Sequence, residues 1–341
     1  MAAELRRRLC LLGPAFADQV ESAPGSALAA LKAQHLRNRR ESLSYRLCDR
    51  PWLLPISSFI TWVEWLDRQI LTEGLAEASR RALDRLGLTV ERVLPAETRA
   101  FLEGGGGVLL AGDHPAFALD LLAVSACLGP QLPADRLRFQ GLHLLAGLGP
   151  GFASRLFPVT ITRAASDRIE QRRHRYTDQG GPPASVLKTF LPDLSREEAA
   201  RRTRQALRQL VDYWVTGGSV IVFPGGGGGA GAPWYPGLGR LIADALTRPD
   251  HARAAVVFFY LEGVDDRLLW RPPLVSPYHP GILLRSRRLR NSKGGPSDNG
   301  CPLLRVTLSS PRELRSFLPA PPSPQDAIHI TQQAQAMYQR M

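Results

Sequence analysis

The sequence has few cysteines and lacks any long apolar run. Its four cysteines, among 341 residues, form no C-x-x-C pair and have no histidine at metal-ligand spacing. This argues against a disulfide scaffold and a zinc site, and it fits a reducing compartment. No run reaches the roughly 18 apolar residues that a membrane-spanning helix needs. The apolar stretch after the N-terminal arginine cluster is too broken for a signal peptide. We therefore expect a cytoplasmic protein, soluble or peripheral to a membrane.

The charge of the chain is one-sided. Lys and Arg number 43, almost all of them Arg, against 31 Asp and Glu, which gives a formal net charge of +12 at pH 7. Such a surface can bind nucleic acid, an anionic membrane or anionic substrates, or can simply be solvated. Because the sequence carries no recognisable nucleic-acid-binding module, we do not expect nucleic acid as a partner.

Residues 1–100 have the composition of a helical region. Residues 27–36 and 75–88 are rich in Ala, Leu, Arg and Glu, and nothing there alternates as a strand would. Between them, residues 51–70 carry apolar side chains at helical spacing and three of the six tryptophans of the chain. Two interpretations stay open for this segment: a helix packed on the main domain, or a membrane-interface helix with aromatic anchors.

From about residue 101 the pattern changes to short apolar runs separated by helical segments. The runs that predict strands are residues 106–111, 156–161, 219–223, 255–261 and 303–308. This alternation predicts an α/β domain over residues 101–320, in which helices flank a mixed central sheet that is buried on both faces. Residues 321–341 have the composition of a Pro-rich connector followed by a C-terminal helix.

A run of five glycines, residues 225–229, follows the strand predicted to end at Phe223. A Walker phosphate-binding loop needs a Lys and a hydroxyl that are absent here, and a dinucleotide-binding fingerprint needs a helix where Pro233 and Pro236 follow. No G-x-S-x-G nucleophile elbow occurs, which disfavours an α/β-hydrolase. The glycine run therefore predicts neither a nucleotide site nor a serine hydrolase.

The strongest candidate site lies upstream, where a predicted strand ends at Ala111 and residues 113–115 form a turn. The helix that follows has Asp120 as its only interior charge. A carboxylate among apolar residues is costly to bury unless a partner pairs with it, and the imidazole of His114, folded back from the turn, is such a partner. Asp120 bound to one ring nitrogen would make the other a general base for a substrate hydroxyl. The alternative is a structural His beside a capping or buried Asp.

This stretch resembles the first motif of the glycerolipid acyltransferase superfamily, the 1-acylglycerol-3-phosphate acyltransferase-like proteins. That motif is a His and an Asp separated by four residues, or by five in a variant that begins His-Pro, as with His114 and Asp120 here. Other blocks follow in the order of the family. They are residues 156–163, which end in Arg; residues 217–227, in line with G-x-x-hydrophobic-F-P-E-G-T; residues 236–239; and the apolar run 255–260. The resemblance spans residues 104–262.

The resemblance implies an O-acyltransferase with acyl-CoA or an acyl-carrier protein as donor and with no metal or other cofactor. His114 would act as the general base, Asp120 would orient it, and Arg163 would bind an anionic group. An acceptor pocket would be lined by Phe223, Pro224, Gly225, Gly226 and Gly227. The acceptor would be a lipid taken from an anionic membrane surface, with the protein peripheral on its cytoplasmic face.

The chain departs from the family within the glycine run. Gly225 stands where the family has Glu, and Gly227 stands where it has Thr. Losing a carboxylate and a hydroxyl leaves backbone N–H groups, which can bind an anion or make room for a bulkier acceptor. The identity of the acceptor is therefore open. A second hypothesis also stays open: the chain is a catalytically degenerate protein of this fold that binds lipid or acyl carrier.

Overall fold

The computed structural model of the protein describes residues 20, 27–41, 56–114, 119–162, 191–226, 231–263, 303–317 and 326–340. Within these residues one mixed sheet forms the centre of the molecule. Its strands are β1 Thr89–Val93, β2 Gly107–Ala111, β3 Leu137–Leu142, β4 Leu156–Val159, β5 Ser219–Val222, β6 Ala254–Glu262, β7 Leu303–Leu308 and β8 Arg312–Glu313. Their order across the sheet is β1-β7-β6-β2-β5-β3-β4, with β8 paired to β6.

The five strands from β6 to β4 are parallel to one another, and β2 lies between β5 and β6. The sheet is mixed because β7 runs antiparallel to β6 and is itself parallel to β1. Every residue of β2 and of β5 is buried. Strands covered on both faces are apolar at every position, which is why their apolar runs were visible in the sequence. The predicted mixed central sheet flanked by helices is confirmed.

Helices cover both faces of this sheet. They are α1 Ala27–Glu41, α2 Ile56–Glu73, α3 Leu75–Arg85, α4 Ala96–Glu103, α5 Leu119–Leu128, α6 Pro150–Arg155, α7 Arg196–Val215, α8 Gly237–Leu246 and α9 Asp326–Tyr338. On one face, α2, α3 and α5 pack with Val108 and Leu110 of β2. On the other face, α7, α8 and α9 pack with Leu109 and Ala111. Alternate residues of β2 thus serve two separate cores.

The tryptophan-rich helix α2 packs on the body of the protein. Ile60, Val63 and Ile70 are buried in the core that also contains β2, and the ring of Trp65 packs against that core. The guanidinium of Arg85 lies 3.9 Å from the centre of the Trp65 ring, within the range of a cation–π contact. For these residues, the first of the two interpretations of this segment is the one observed.

Three strands were not predicted from the sequence: β1, β3 and the two-residue β8. The expectation that nothing in residues 1–100 forms a strand is wrong at β1, which pairs with β7 at the edge of the sheet. No residue of β1 is buried, so the strand has no apolar alternation to reveal it. In β3, buried Leu137 and Phe139 alternate with half-buried residues that include Arg138 and Gln140, and this run is too short and polar to have been recognised.

Trp214 of α7 joins that helix to the sheet, and its removal should be costly. The side chain is fully buried, and its indole N–H lies 3.2 Å from the carbonyl oxygen of Gly107 in β2 and 3.3 Å from that of Ala255 in β6. We expect Trp214→Ala to lower the free energy of unfolding by about 3–5 kcal/mol, measured by chemical denaturation. Trp65→Ala, at a half-buried position, is the control and should cost less; equal losses would contradict the assignment.

Candidate functional site

The candidate site lies at the carboxyl ends of β2 and β5, which are neighbours in the sheet. The chain leaves β2 for α5 on one face and leaves β5 for α8 on the other face. In open α/β sheets, a divergence of two adjacent connections opens a crevice at the carboxyl ends of the strands, and ligands bind there. His114 comes three residues after β2 ends, and Phe223 directly follows β5. The topology therefore brings two of the predicted site residues to the carboxyl ends of neighbouring strands.

His114 and Asp120 form a hydrogen-bonded pair. Nδ1 of His114 lies 2.7 Å from Oδ2 of Asp120, and the two side chains are 15% and 0% exposed. Asp120 sits in the first turn of α5, whereas His114 precedes that helix. The predicted pairing of His114 with Asp120 across six positions is confirmed.

The pair has the polarity that a general base needs. An ionised carboxylate only accepts hydrogen bonds, and a histidine that donates to it from Nδ1 bears on Nε2 the lone pair that can take a proton. The same carboxylate stabilises the imidazolium that forms when Nε2 takes a proton. Because Asp120 is completely buried, solvent screens this interaction little.

Phe223 contacts the imidazole rather than an open pocket. Its ring stacks on that of His114, with centroids 4.3 Å apart and planes 27° apart, and Phe259 of β6 meets Phe223 edge-on at 5.8 Å. A Cβ at Gly112 would collide with the carbonyl oxygen and ring of Phe259, so only glycine lets the turn before His114 pass so close to β6. Phe223 therefore lies against the imidazole of His114, and its role in binding substrate stays a prediction.

The first half of the glycine loop is compact. Pro224 and Gly225 are buried, and the N–H of Gly226 donates to the carbonyl oxygen of Phe223 at 2.9 Å. Gly226 has φ +56°, which favours glycine, while Gly225 does not lie in that region. A Cβ at position 225 would meet only ordinary contacts, the nearest being Trp234 and the carbonyl oxygen of Ala232 at 3.7 Å. The conformation and surroundings of position 225 therefore do not require a glycine there.

Two predicted site residues are not placed by the structure. Arg163 lies outside the described residues, which end at the buried Thr162 beyond β4. Gly227 also lies outside them, because the described chain stops at Gly226 and resumes at Gly231. The assigned roles of Arg163 and Gly227 stay predictions.

Asp113 is a polar residue at the site that the sequence analysis did not single out. Its Oδ2 accepts from the backbone N–H of Gly231 at 2.8 Å, and its Oδ1 accepts from the indole N–H of Trp234 at 3.0 Å. These partners lie 118 and 121 positions away. The only available signal was a second acidic residue next to His114, and no local pattern predicts such distant partners.

The hydroxyl of Tyr338, at the end of α9, belongs to the same cluster. Burial, and then the negative charge of Asp113, raises the pKa of Tyr338, while a hydrogen bond from the Asp113 main chain acts in the opposite direction. The phenol is therefore neutral at physiological pH. The last helix of the chain thus reaches the turn that carries His114.

The described residues offer no metal site and no membrane span. Within the ranges given above, no group of three or more His, Cys, Asp or Glu side chains is arranged to hold a metal ion. None of the described helices combines the length and apolar character needed to cross a membrane. No protein-family model matches the sequence, and no curated protein matches it. What the described residues define is an α/β protein with a buried His–Asp pair at the carboxyl ends of its central strands.

Proposed function

We propose that the protein is an O-acyltransferase that moves an acyl group from acyl-CoA or an acyl-carrier protein to a hydroxyl of a lipid or lipid-like acceptor. The observation that carries this proposal is the 2.7 Å contact between His114 and the fully buried Asp120. It lies in the crevice between β2 and β5, where open α/β sheets bind ligands. Residues 104–262 resemble the glycerolipid acyltransferases, and this resemblance is the reason for assigning acyl transfer to the pair.

The reaction needs only these two side chains and two substrates. Nε2 of His114 takes the proton from the acceptor hydroxyl, and the oxygen attacks the carbonyl carbon of the thioester. The C–O bond forms and the C–S bond breaks as the tetrahedral intermediate collapses, and the imidazolium returns its proton to the leaving thiolate. Asp120 holds the imidazole in one tautomer throughout and stabilises its charged form.

The acceptor binds beside the glycine loop in this proposal. Backbone groups of Pro224, Gly225 and Gly226 line that side, and Arg163 binds an anionic group of the acceptor or donor. The glycine at position 225 takes less space than the Glu of the glycerolipid acyltransferases, which favours an acceptor larger than glycerol phosphate. The same missing carboxylate supports the second candidate, a protein of this fold that binds lipid or acyl carrier without catalysis.

The protein would take its lipid substrates from the cytoplasmic face of an anionic membrane. The net charge of +12 favours binding to anionic lipid, since each basic residue near such a surface adds attraction. The apolar side of α2 does not supply this contact, because Ile60, Val63 and Ile70 are buried against the sheet. We therefore expect attraction by charge, weakened by salt.

The test is direct identification of the acylated product. Purified protein is incubated with an isotopically labelled acyl-CoA, or acyl-carrier protein, and a cell lipid extract, and mass spectrometry compares the products with those of His114→Ala. The expected result is a labelled lipid formed only by the wild type. Binding of the labelled donor with no product from either protein would favour the non-catalytic candidate.

Replacing Phe223 with leucine separates two roles for this residue. Loss of an aromatic contact of this kind costs about 0.5–1.5 kcal/mol. We therefore expect kcat to fall by about three- to tenfold with KM for the acceptor unchanged, because the ring contacts His114. Phe317→Leu is the control, since that buried ring packs against Phe258 instead. A raised KM with normal kcat would instead support the role in binding substrate that the sequence predicted for Phe223.

A further inference from the structure

Asp113 and the far side of the glycine loop form one hydrogen-bonded unit. We name residues 231–235 the return segment, because they bring the chain back to Pro224 after the glycine run. Both carboxylate oxygens of Asp113 are bound to this segment, one at the N–H of Gly231 and one at the indole of Trp234. Hydrogen bonds to a carboxylate are stronger than neutral ones and give direction as well as energy.

Helix α9 holds the same segment from the other side. Oε1 of Gln335 accepts from the backbone N–H of Trp234 at 3.1 Å, and its Nε2 donates to the carbonyl oxygen of Ala232, also at 3.1 Å. The indole of Trp234 packs against the ring of Tyr338, with centroids 5.1 Å apart. A single glutamine therefore holds the main chain of the return segment through one donor and one acceptor.

The return segment in turn sets the position of the first half of the loop. The N–H of Tyr235 donates to the carbonyl oxygen of Pro224 at 2.9 Å, and Trp234 lies 3.7 Å from where a Cβ of Gly225 would stand. Phe223, directly before Pro224, stacks on His114. The loop is thus held at both ends by adjacent residues, His114 through Phe223 and Asp113 through the return segment.

We propose that Asp113 is a positioning residue, supported by Gln335 of α9, that through the return segment sets the position of residues 224–226 relative to His114. Position 225 carries no carboxylate, and Asp113 supplies one to the same loop from the neighbouring strand end. The acceptor role rests on the proposed function, whereas the holding of the loop does not. If this is so, Asp113 and α9 determine how well the hydroxyl of a bulky lipid acceptor fits the site.

The first test measures the loop itself and needs no substrate. Hydrogen–deuterium exchange is followed at residues 231–236, whose amides include those of Gly231, Trp234 and Tyr235. We expect exchange there to be about tenfold faster or more in Asp113→Ala and in Gln335→Leu, the scale expected for losing such hydrogen bonds. Exchange in β2 should stay at the wild-type rate and so report an intact fold. Unchanged exchange in both variants would overturn the proposal.

Thr331→Val is the matched control for α9. Thr331 is 3% exposed, and its hydroxyl accepts from the N–H of Gly239 in α8 at 2.9 Å. The substitution therefore removes a buried contact of the same helix that does not involve the return segment. Exchange at residues 231–236 should match the wild type in this variant. If it rises as much as in Gln335→Leu, general loosening of α9 is the cause and the specific role of Gln335 is wrong.

The second test is kinetic. With the acyl acceptor found as described above, Asp113→Ala should raise its KM about tenfold while kcat changes less than about threefold, because the loop binds the acceptor and His114 does the chemistry. Asp113→Asn keeps one accepting oxygen and should lie between the wild type and alanine. A fall in kcat with KM unchanged would overturn the acceptor role. If the variants exchange faster but the wild type transfers no acyl group, the proposed function is wrong. The role of Asp113 in holding the return segment is then still supported.

Discussion

Replacing His114 with alanine should lower the rate of acyl transfer by about 10²–10⁴-fold, the usual contribution of a positioned general base. The rate is measured as thiol released from the acyl-CoA donor at saturating acceptor. Alanine also takes the partner of Asp120 away and leaves a buried carboxylate uncompensated. His114→Gln is therefore the companion variant, since its amide can still donate to Asp120 but cannot take a proton near neutral pH. Both variants should be inactive to a similar degree.

The control for this experiment is His329→Ala. His329 is exposed on α9, so its loss should leave transfer and the free energy of unfolding unchanged. Equal rates in the wild type and in both His114 variants would end the enzymatic proposal. The protein would then be the non-catalytic lipid or acyl-carrier binder to which the glycine at position 225 also points.

The parts of the fold that were predictable are the ones buried on both faces. β6, β2 and β5 lie side by side in the interior of the sheet, so nearly all of their residues had to be apolar. The edge strand β1 faces solvent along most of its length, and β3 carries Arg138 and Gln140 among its apolar residues. For strands like these, pairing partners decide the structure, and partners are not visible in a local window.

The candidate site likewise has parts that were predictable from the sequence and parts that were not. The pairing of His114 with Asp120 was predictable because both lie in one strand–turn–helix unit, where a buried charge demands a nearby partner. The stacking of Phe223 on His114 joins the ends of two different strands, and its prediction would have required the strand order. Asp113 is the extreme case, since the return segment that it binds comes more than a hundred residues later.

These distant contacts change the meaning of the glycine run. The sequence shows two missing side chains at positions 225 and 227, and this suggests a weakened site. In the structure, the segment that follows the glycine run is bound by Asp113 and by Gln335, and Tyr235 of that segment donates to the carbonyl oxygen of Pro224. Backbone that is held by its neighbours keeps a constant geometry even where its own side chains are missing. It can therefore serve an acceptor site while leaving more room within it.

Asp120→Asn is the variant that separates a catalytic pair from a structural one. An asparagine amide can donate to Nδ1 of His114, which would place the ring proton on Nε2 and remove the basic lone pair from the crevice. We expect kcat to fall by about 10²–10⁴-fold with KM little changed, because the interaction matters once the imidazole becomes charged. The free energy of unfolding, measured by chemical denaturation, should change little, since Asn fills nearly the same buried volume and carries no charge.

The double variant of His114→Ala with Asp120→Asn completes this argument. If the two side chains act as a unit, the double variant should be about as inactive as His114→Ala alone, because the carboxylate has no function without the imidazole. If the two side chains contributed independently, the fold-losses in rate of the two single variants would multiply in the double variant. A purely structural pair makes a third pattern, in which both single variants lose stability while the transfer rate per folded molecule stays normal. Rates normalised to the folded fraction distinguish these three patterns, and only the first agrees with a base that is oriented by a buried carboxylate.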